Sequence, residues 1–294
     1  MTETIGNPLS WSVDAIRGAG RRVEAAAETV GSHERAEPQA RRIDTDDLRE
    51  ALRLGWEDFK ACRSDVMFLV LLYPMIGLAM GWIAYHGRLA PLLFPAAAGF
   101  ALIGPAAAVG LYELSRRREQ GESPSWAEAF GVAGSPSFGA ILALAAMQGM
   151  IFAVWIGTAH VIWSASLGPD APPTAAAFFR EVLTTEAGQG MAIAGIAAGA
   201  LFAGVVLATS IVSFPLLLDR KVGLPVAVLT SIRVTQKNPG PVAVWGLIVA
   251  GLLVLGSLPL FLGLIVVLPL LGHASWHLYR RAVAFPAPAA PPAA

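Results

Sequence analysis

One cysteine, Cys62, occurs in 294 residues, which excludes an intrachain disulfide and any multi-cysteine metal or iron–sulfur site. Charge is scarce as well. Asp, Glu, Lys and Arg make up 14% of the chain, against about 25% in an ordinary soluble domain. The first 65 residues hold no apolar run that could serve as a signal-peptide core, so the first true span is expected to direct insertion. No GxSxG, Walker, GxGxxG or HExxH pattern is present. The long apolar runs also contain almost no ionisable residue, although such residues usually mark ion paths and intramembrane chemistry.

What the chain does have is hydrophobicity, 55% of residues, gathered into runs. Several approach or exceed the ~20 residues that cross a bilayer, so the predicted fold is an all-α polytopic transmembrane bundle. Four runs are Val66 to Tyr85, Leu89 to about Tyr112, Phe138 to Trp163 and Gln189 to Phe214. A fifth stretch, Val242 to His277, would be ~50 Å long as one helix, too long for a ~30 Å hydrocarbon core. Gly256-Ser257-Leu258-Pro259 offers a break. It divides the stretch into Val242 to about Leu255 and Leu260 to His277, giving six spans; one long tilted or kinked helix is the alternative.

Basic residues favour six. Under that topology 19 of the 21 Lys and Arg lie on one side, leaving Arg88 and Arg180 opposite, as the positive-inside rule expects. Both termini are then cytoplasmic. Five spans would leave Arg280 and Arg281 outside.

Residues 1–43 read as a flexible cytoplasmic tail, 44–281 as the membrane domain and 282–294 as a disordered Ala/Pro-rich tail. Within the first tail, Leu9, Val13, Ile16, Val23, Ala27 and Val30 recur at near-helical spacing. A second helix is predicted from Thr45, with Asp46 and Asp47 at its positive end. Its Leu48, Leu52, Trp56 and Phe59 form one face suited to a membrane surface.

An internal repeat is also legible. The exits of the second, fourth and sixth spans each place a proline before an apolar or aromatic turn and basic residues: Pro105 to Arg118, Pro215 to Lys221, and Pro269 to Arg281. Odd-numbered spans follow short amphipathic segments: Leu48 to Phe59, Ser125 to Phe130 and Val226 to Val234. Three repeated hairpins with cytoplasmic amphipathic helices are the expected arrangement.

Few residues are candidates for chemistry. Glu113 and Asp219 sit at span exits among arginines, and Glu113 is placed to pair with Arg116 or Arg117 one turn on. His273 and His277 are four apart and share a helical face. That spacing suits a metal or haem, but no cysteine or carboxylate lies nearby in sequence and His160 falls at the other end of the span region. No metal, cofactor or catalytic residue is predicted; helix-end hydrogen bonding is preferred. The outer segment from Ser164 to Gly188 includes Phe178, Phe179, Val182 and Leu183, which suit a short interfacial helix.

Several stretches together resemble the DUF2189 family of predicted bacterial integral membrane proteins. They are Thr4 to Pro8, Trp56 to Phe59, Phe94-Pro95 to Gly104-Pro105, Gly110 to Arg117, Ser213 to Arg220 and Leu268 to His277. The resemblance covers roughly residues 43 to 281. It implies an inner-membrane location and carries over no reaction and no catalytic residues.

The leading functional expectation is a non-catalytic scaffold, accessory or assembly protein that contacts the lipid bilayer and another membrane protein or complex, not nucleic acid. Association with a respiratory complex is a further expectation that does not follow from the motifs. A transporter or channel for a small or apolar solute is the alternative. An enzyme acting on lipid or on a membrane-embedded cofactor comes third, because it needs Glu113, Asp219, His273 and His277 in one cleft.

Overall fold

The structure, a computed structural model, describes residues 38–62, 75, 77–78, 81–82, 90–122, 126–168, 174–259 and 261–285. The predicted first span lies largely outside these residues, as do the periodic stretch in the N-terminal tail and the last nine residues. The described helices are α1 (Thr45–Ala61), α2 (Ala90–Ala107), α3 (Val109–Glu119), α4 (Trp126–Ala129), α5 (Phe138–Leu167), α6 (Ala175–Thr184), α7 (Glu186–Ser210), α8 (Ser213–Asp219), α9 (Leu224–Lys237), α10 (Pro239–Ser257) and α11 (Leu264–Ala282). A 3₁₀ turn, Phe130–Gly134, joins α4 to the approach of α5. The protein is all-α and of membrane type. Among the described residues four stretches are long and apolar enough to cross a bilayer: Phe94–Glu119, Phe138–Leu167, Glu186–Asp219 and Pro239–Ser257.

Asp44 starts α1 by accepting from the Asp46 and Asp47 amides, while Asp47 accepts from the Asp44 amide. This capping box satisfies donors that the first helical turn leaves free. Leu48, Ala51, Gly55 and Asp58 then recur at three- and four-residue intervals and are buried, against α11. The contact is close: a Cβ on Gly55 would stand 2.6 Å from the Ala274 amide nitrogen. The face predicted for a membrane surface is therefore corrected. Leu48 and Phe59 are buried, but Trp56 is 43% exposed, because a protein partner covers the stripe through Ala51 and Gly55.

The apolar run expected as one span from Leu89 to about Tyr112 overlaps the single stretch Phe94–Glu119, with a one-residue interruption at Ala108 between α2 and α3. The predicted turn after Ser257 is present, so a single helix over 242–277 is overturned. Gly256 and Gly263 touch across the reversal: a Cβ on Gly263 would stand 2.7 Å from the Gly256 Cα. Phe261 has φ 65° there, a strained conformation for a bulky side chain. The short helix expected between residues 164 and 188 is present as α6, capped by Thr174.

At one end, here termed the basic end, lie Arg116 to Arg118, Arg220, Lys221, Arg280 and Arg281. Here α3, α8 and α11 touch one another, with α4 against α3, α9 against α8 and α1 against α11. A short antiparallel pair, β1 (Gln39–Ala40) and β2 (Val283–Ala284), joins the chain's two flanks. Asn238 braces the same corner: its Oδ1 accepts from Ile43 N at 2.9 Å and its Nδ2 donates to the Arg41 carbonyl at 2.8 Å. Burial concentrates here, in Phe214, Leu216, Leu217, Leu278 and Tyr279. By contrast, 6% of the most apolar window in Glu186–Asp219 is buried. Ile193, Ile196, Leu201, Leu247 and Leu255 are exposed, a greasy surface that needs lipid around it.

Candidate functional site

Polar side chains converge where α1, α3 and α11 meet. Asp58, 4% exposed, projects from the buried stripe of α1. Its Oδ2 accepts from Ser115 Oγ at 2.5 Å and faces His277 Nε2 at 2.8 Å. Arg118 Nη1 bonds its other oxygen. On the far side of Ser115, the His273 Nδ1 lies 2.8 Å from Oγ. The Ser115 hydroxyl proton is committed to Asp58, so Nδ1 is assigned as the donor to Oγ. His273 Nε2 is buried and makes no hydrogen bond of normal geometry among the described residues, with the Leu111 backbone beside the ring. A neutral imidazole is the form that such a site tolerates most readily.

Asp58 stays ionised for identifiable reasons. Burial pushes its pKa up, but hydrogen bonds from His277 and Ser115 more than offset this and hold it below the usual carboxylate range. A buried carboxylate is tolerated when its oxygens are this fully bonded. Outside the knot, Glu119 accepts from Trp276 Nε1 at 3.0 Å and Arg280 Nε at 2.9 Å. Tyr279 donates to Asp219 at 2.7 Å, and Arg281 reaches Asp47 at 2.6 Å. The last turns of α11 are thus hydrogen-bonded to α1, α3 and α8 in turn.

The four predicted residues fall into two groups. His273 and His277 join Asp58 and Ser115 in the knot. Glu113 and Asp219 instead line a cleft of about 290 Å³ with Arg116, Arg117, Arg220 and Lys221. Glu113 is 3% exposed and pairs with both arginines, Arg116 at 2.8 Å and Arg117 at 2.7 Å. Among the described residues no group of three or more His, Cys, Asp and Glu is arranged to hold a metal ion.

Sequence reasoning missed Asp58, Ser115, Arg118 and Glu119. For Asp58 a signal existed, since it continues the 48, 51, 55 spacing and so had to be buried with its neighbours. It also missed Gln148 in α5, which is fully buried with neither amide atom partnered among the described residues. The hydroxyls of Thr209, Ser210 and Ser213 bond back along the chain to the Val205, Val206 and Thr209 carbonyls, and Ser213 also donates to the Ala227 carbonyl of α9.

Residues 93–219 match the model of a family described as predicted integral membrane protein (DUF2189). The match runs from α2 to the end of α8, within the region where the sequence resembles that family. No curated protein and no solved structure matches the chain.

Proposed function

We propose that this chain is a non-catalytic scaffold or accessory protein of the bacterial inner membrane, built from three repeated hairpins and six spans. Both termini are cytoplasmic in this reading, and the basic end faces the cytoplasm. The positive-inside rule supports the orientation, because the Arg and Lys clusters gather there. The cyclic packing supports the repeat. Each short amphipathic element lies on the exit of the hairpin before it, α4 on α3 and α9 on α8, and α1 on α11 closes the ring.

One observation carries the non-catalytic reading: Asp58, Ser115, His273 and His277 are bonded to one another. Ser115 is 1% exposed and bridges Asp58 to His273. A hydrolytic triad needs the opposite order, with histidine between serine and carboxylate and the hydroxyl facing substrate. Glu113 and Asp219 stand apart from this knot, so the four-residue cleft required by a lipid-enzyme reading does not form. A rigid cap of this kind holds exposed apolar helices in fixed register, which suits presentation to a membrane partner.

The test is purification in mild detergent at native abundance. Recovery of one membrane protein or complex at constant stoichiometry is expected. Repeated recovery of the chain alone would remove the scaffold reading.

A further inference from the structure

The cleft between α3, the approach to α5 and the end of α8 plays no part in the scaffold reading. Four cationic side chains, Arg116, Arg117, Arg220 and Lys221, and two carboxylates line it. Both carboxylates are already engaged. Glu113 takes Arg116 Nε and Nη2, each at 2.8 Å, and Arg117 Nε at 2.7 Å. Asp219 accepts the Tyr279 hydroxyl, with Arg220 Nε at 3.4 Å and Arg280 at 3.6 Å. Arg117 Nη1 turns to Glu122 and Glu128 at 3.3 and 3.5 Å.

These pairings act as a brace: they aim the guanidiniums while leaving donors over. Arg117 Nη2 stands 3.6 Å from where a Cβ on Gly131 would be, so the missing side chain keeps that nitrogen accessible along the wall. Arg220 is exposed, with its guanidinium stacked over Phe285 at 4.4 Å. Lys221 is exposed and has no carboxylate at ion-pair distance among the described residues. The wall opposite leads into α5, 30 residues long, whose N-cap Ser137 makes no side-chain capping bond. Ser137 lines the cleft, so the positive end of the helix dipole adds to the field there. Leftover guanidinium donors, an exposed lysine and a helix start suit an anion rather than a neutral solute, and their place at the end of apolar helices, where headgroups lie, favours a phosphate.

We infer that this cleft binds a phosphate group, supplied either by the headgroup of an anionic phospholipid or by a soluble phosphate. The purified full chain in detergent micelles provides the test, with phosphatidylglycerol, phosphatidylcholine and inorganic phosphate as probes and lipid retention in native mass spectrometry as the readout. Phosphatidylglycerol should be retained at about tenfold lower concentration than phosphatidylcholine, and Arg220→Gln combined with Lys221→Gln should weaken that retention about 30-fold. Arg233→Gln, an exposed charge on α9 outside the cleft, should leave it unchanged, and all variants should melt alike without lipid. Displacement of the lipid by millimolar phosphate would identify a soluble ligand, while its persistence would identify the headgroup; either supports the site. Equal retention of the two lipids without displacement by phosphate, wild-type retention in the double variant, or an equal loss in Arg233→Gln would overturn it.

Discussion

Replacing Asp58 by Asn is the most informative single perturbation of the basic end. The change preserves shape and removes the charge that Arg118, His277 and Ser115 address. Breaking a buried ion pair by removing one partner costs about 3–5 kcal/mol. Arg118 is 38% exposed on its side chain, so solvent screens part of its share and the lower figure, about 3 kcal/mol, is expected. In a protein of this size that corresponds to a fall of about 6–12 °C in melting temperature, read by tryptophan fluorescence in detergent. The pH dependence supplies an internal control. The folded-state pKa of Asp58 lies below its unfolded value, so its contribution is fully present above the ordinary carboxylate pKa and is lost as pH falls through the folded value. Asp58→Asn should lack that component of acid destabilisation and otherwise follow the wild type. Melting within about 2 °C of wild type at neutral pH, with the acid limb intact, would refute the assignment of Asp58 as the keystone.

Three further outcomes follow from packing and pairing. Gly55→Ala puts a methyl group within 2.8 Å of three Ala274 atoms. It should cost about 1–3 kcal/mol and raise hydrogen exchange in α1 while α7 stays protected. Asn238→Ala removes the bonds to Ile43 N and the Arg41 carbonyl. A loss of about 2 kcal/mol is expected, together with faster proteolysis near residues 39–43; an unchanged cleavage rate would count against this brace. Gln148→Met fills the same space without the unpartnered amide and should stabilise by about 1–3 kcal/mol. A lower melting temperature would mean that the amide has a partner that the described residues do not supply.

The membrane character and most helix positions were legible because hydrophobic runs of this length have few alternatives. The break after Ser257 was legible for the same reason, since one helix over 242–277 was too long. The site was less so. Glu113 could be paired with Arg116 and Arg117 because they are neighbours on one helix, whereas Asp58 meets Ser115 across 57 residues and His277 across 219. Nothing in local periodicity reports such pairings. The surface assigned to α1 went astray because an apolar stripe records only that something covers it. The cover was α11, whose Ala274 lets Gly55 approach closely, and no pattern within 45–61 names that partner.

The three-hairpin reading requires α11 to return across the bilayer, although its second half carries His273, His277, Arg280 and Arg281 and only its first is strongly apolar. Labelling with a membrane-impermeant thiol reagent in intact cells tests this directly, using single cysteines placed by Leu258→Cys, between α10 and α11, and Ala284→Cys, after α11, in a Cys62→Ser background. Leu258→Cys should label in intact cells, and Ala284→Cys only after the membrane is opened. Labelling of both positions from the same side would contradict six spans and the closed ring of hairpins.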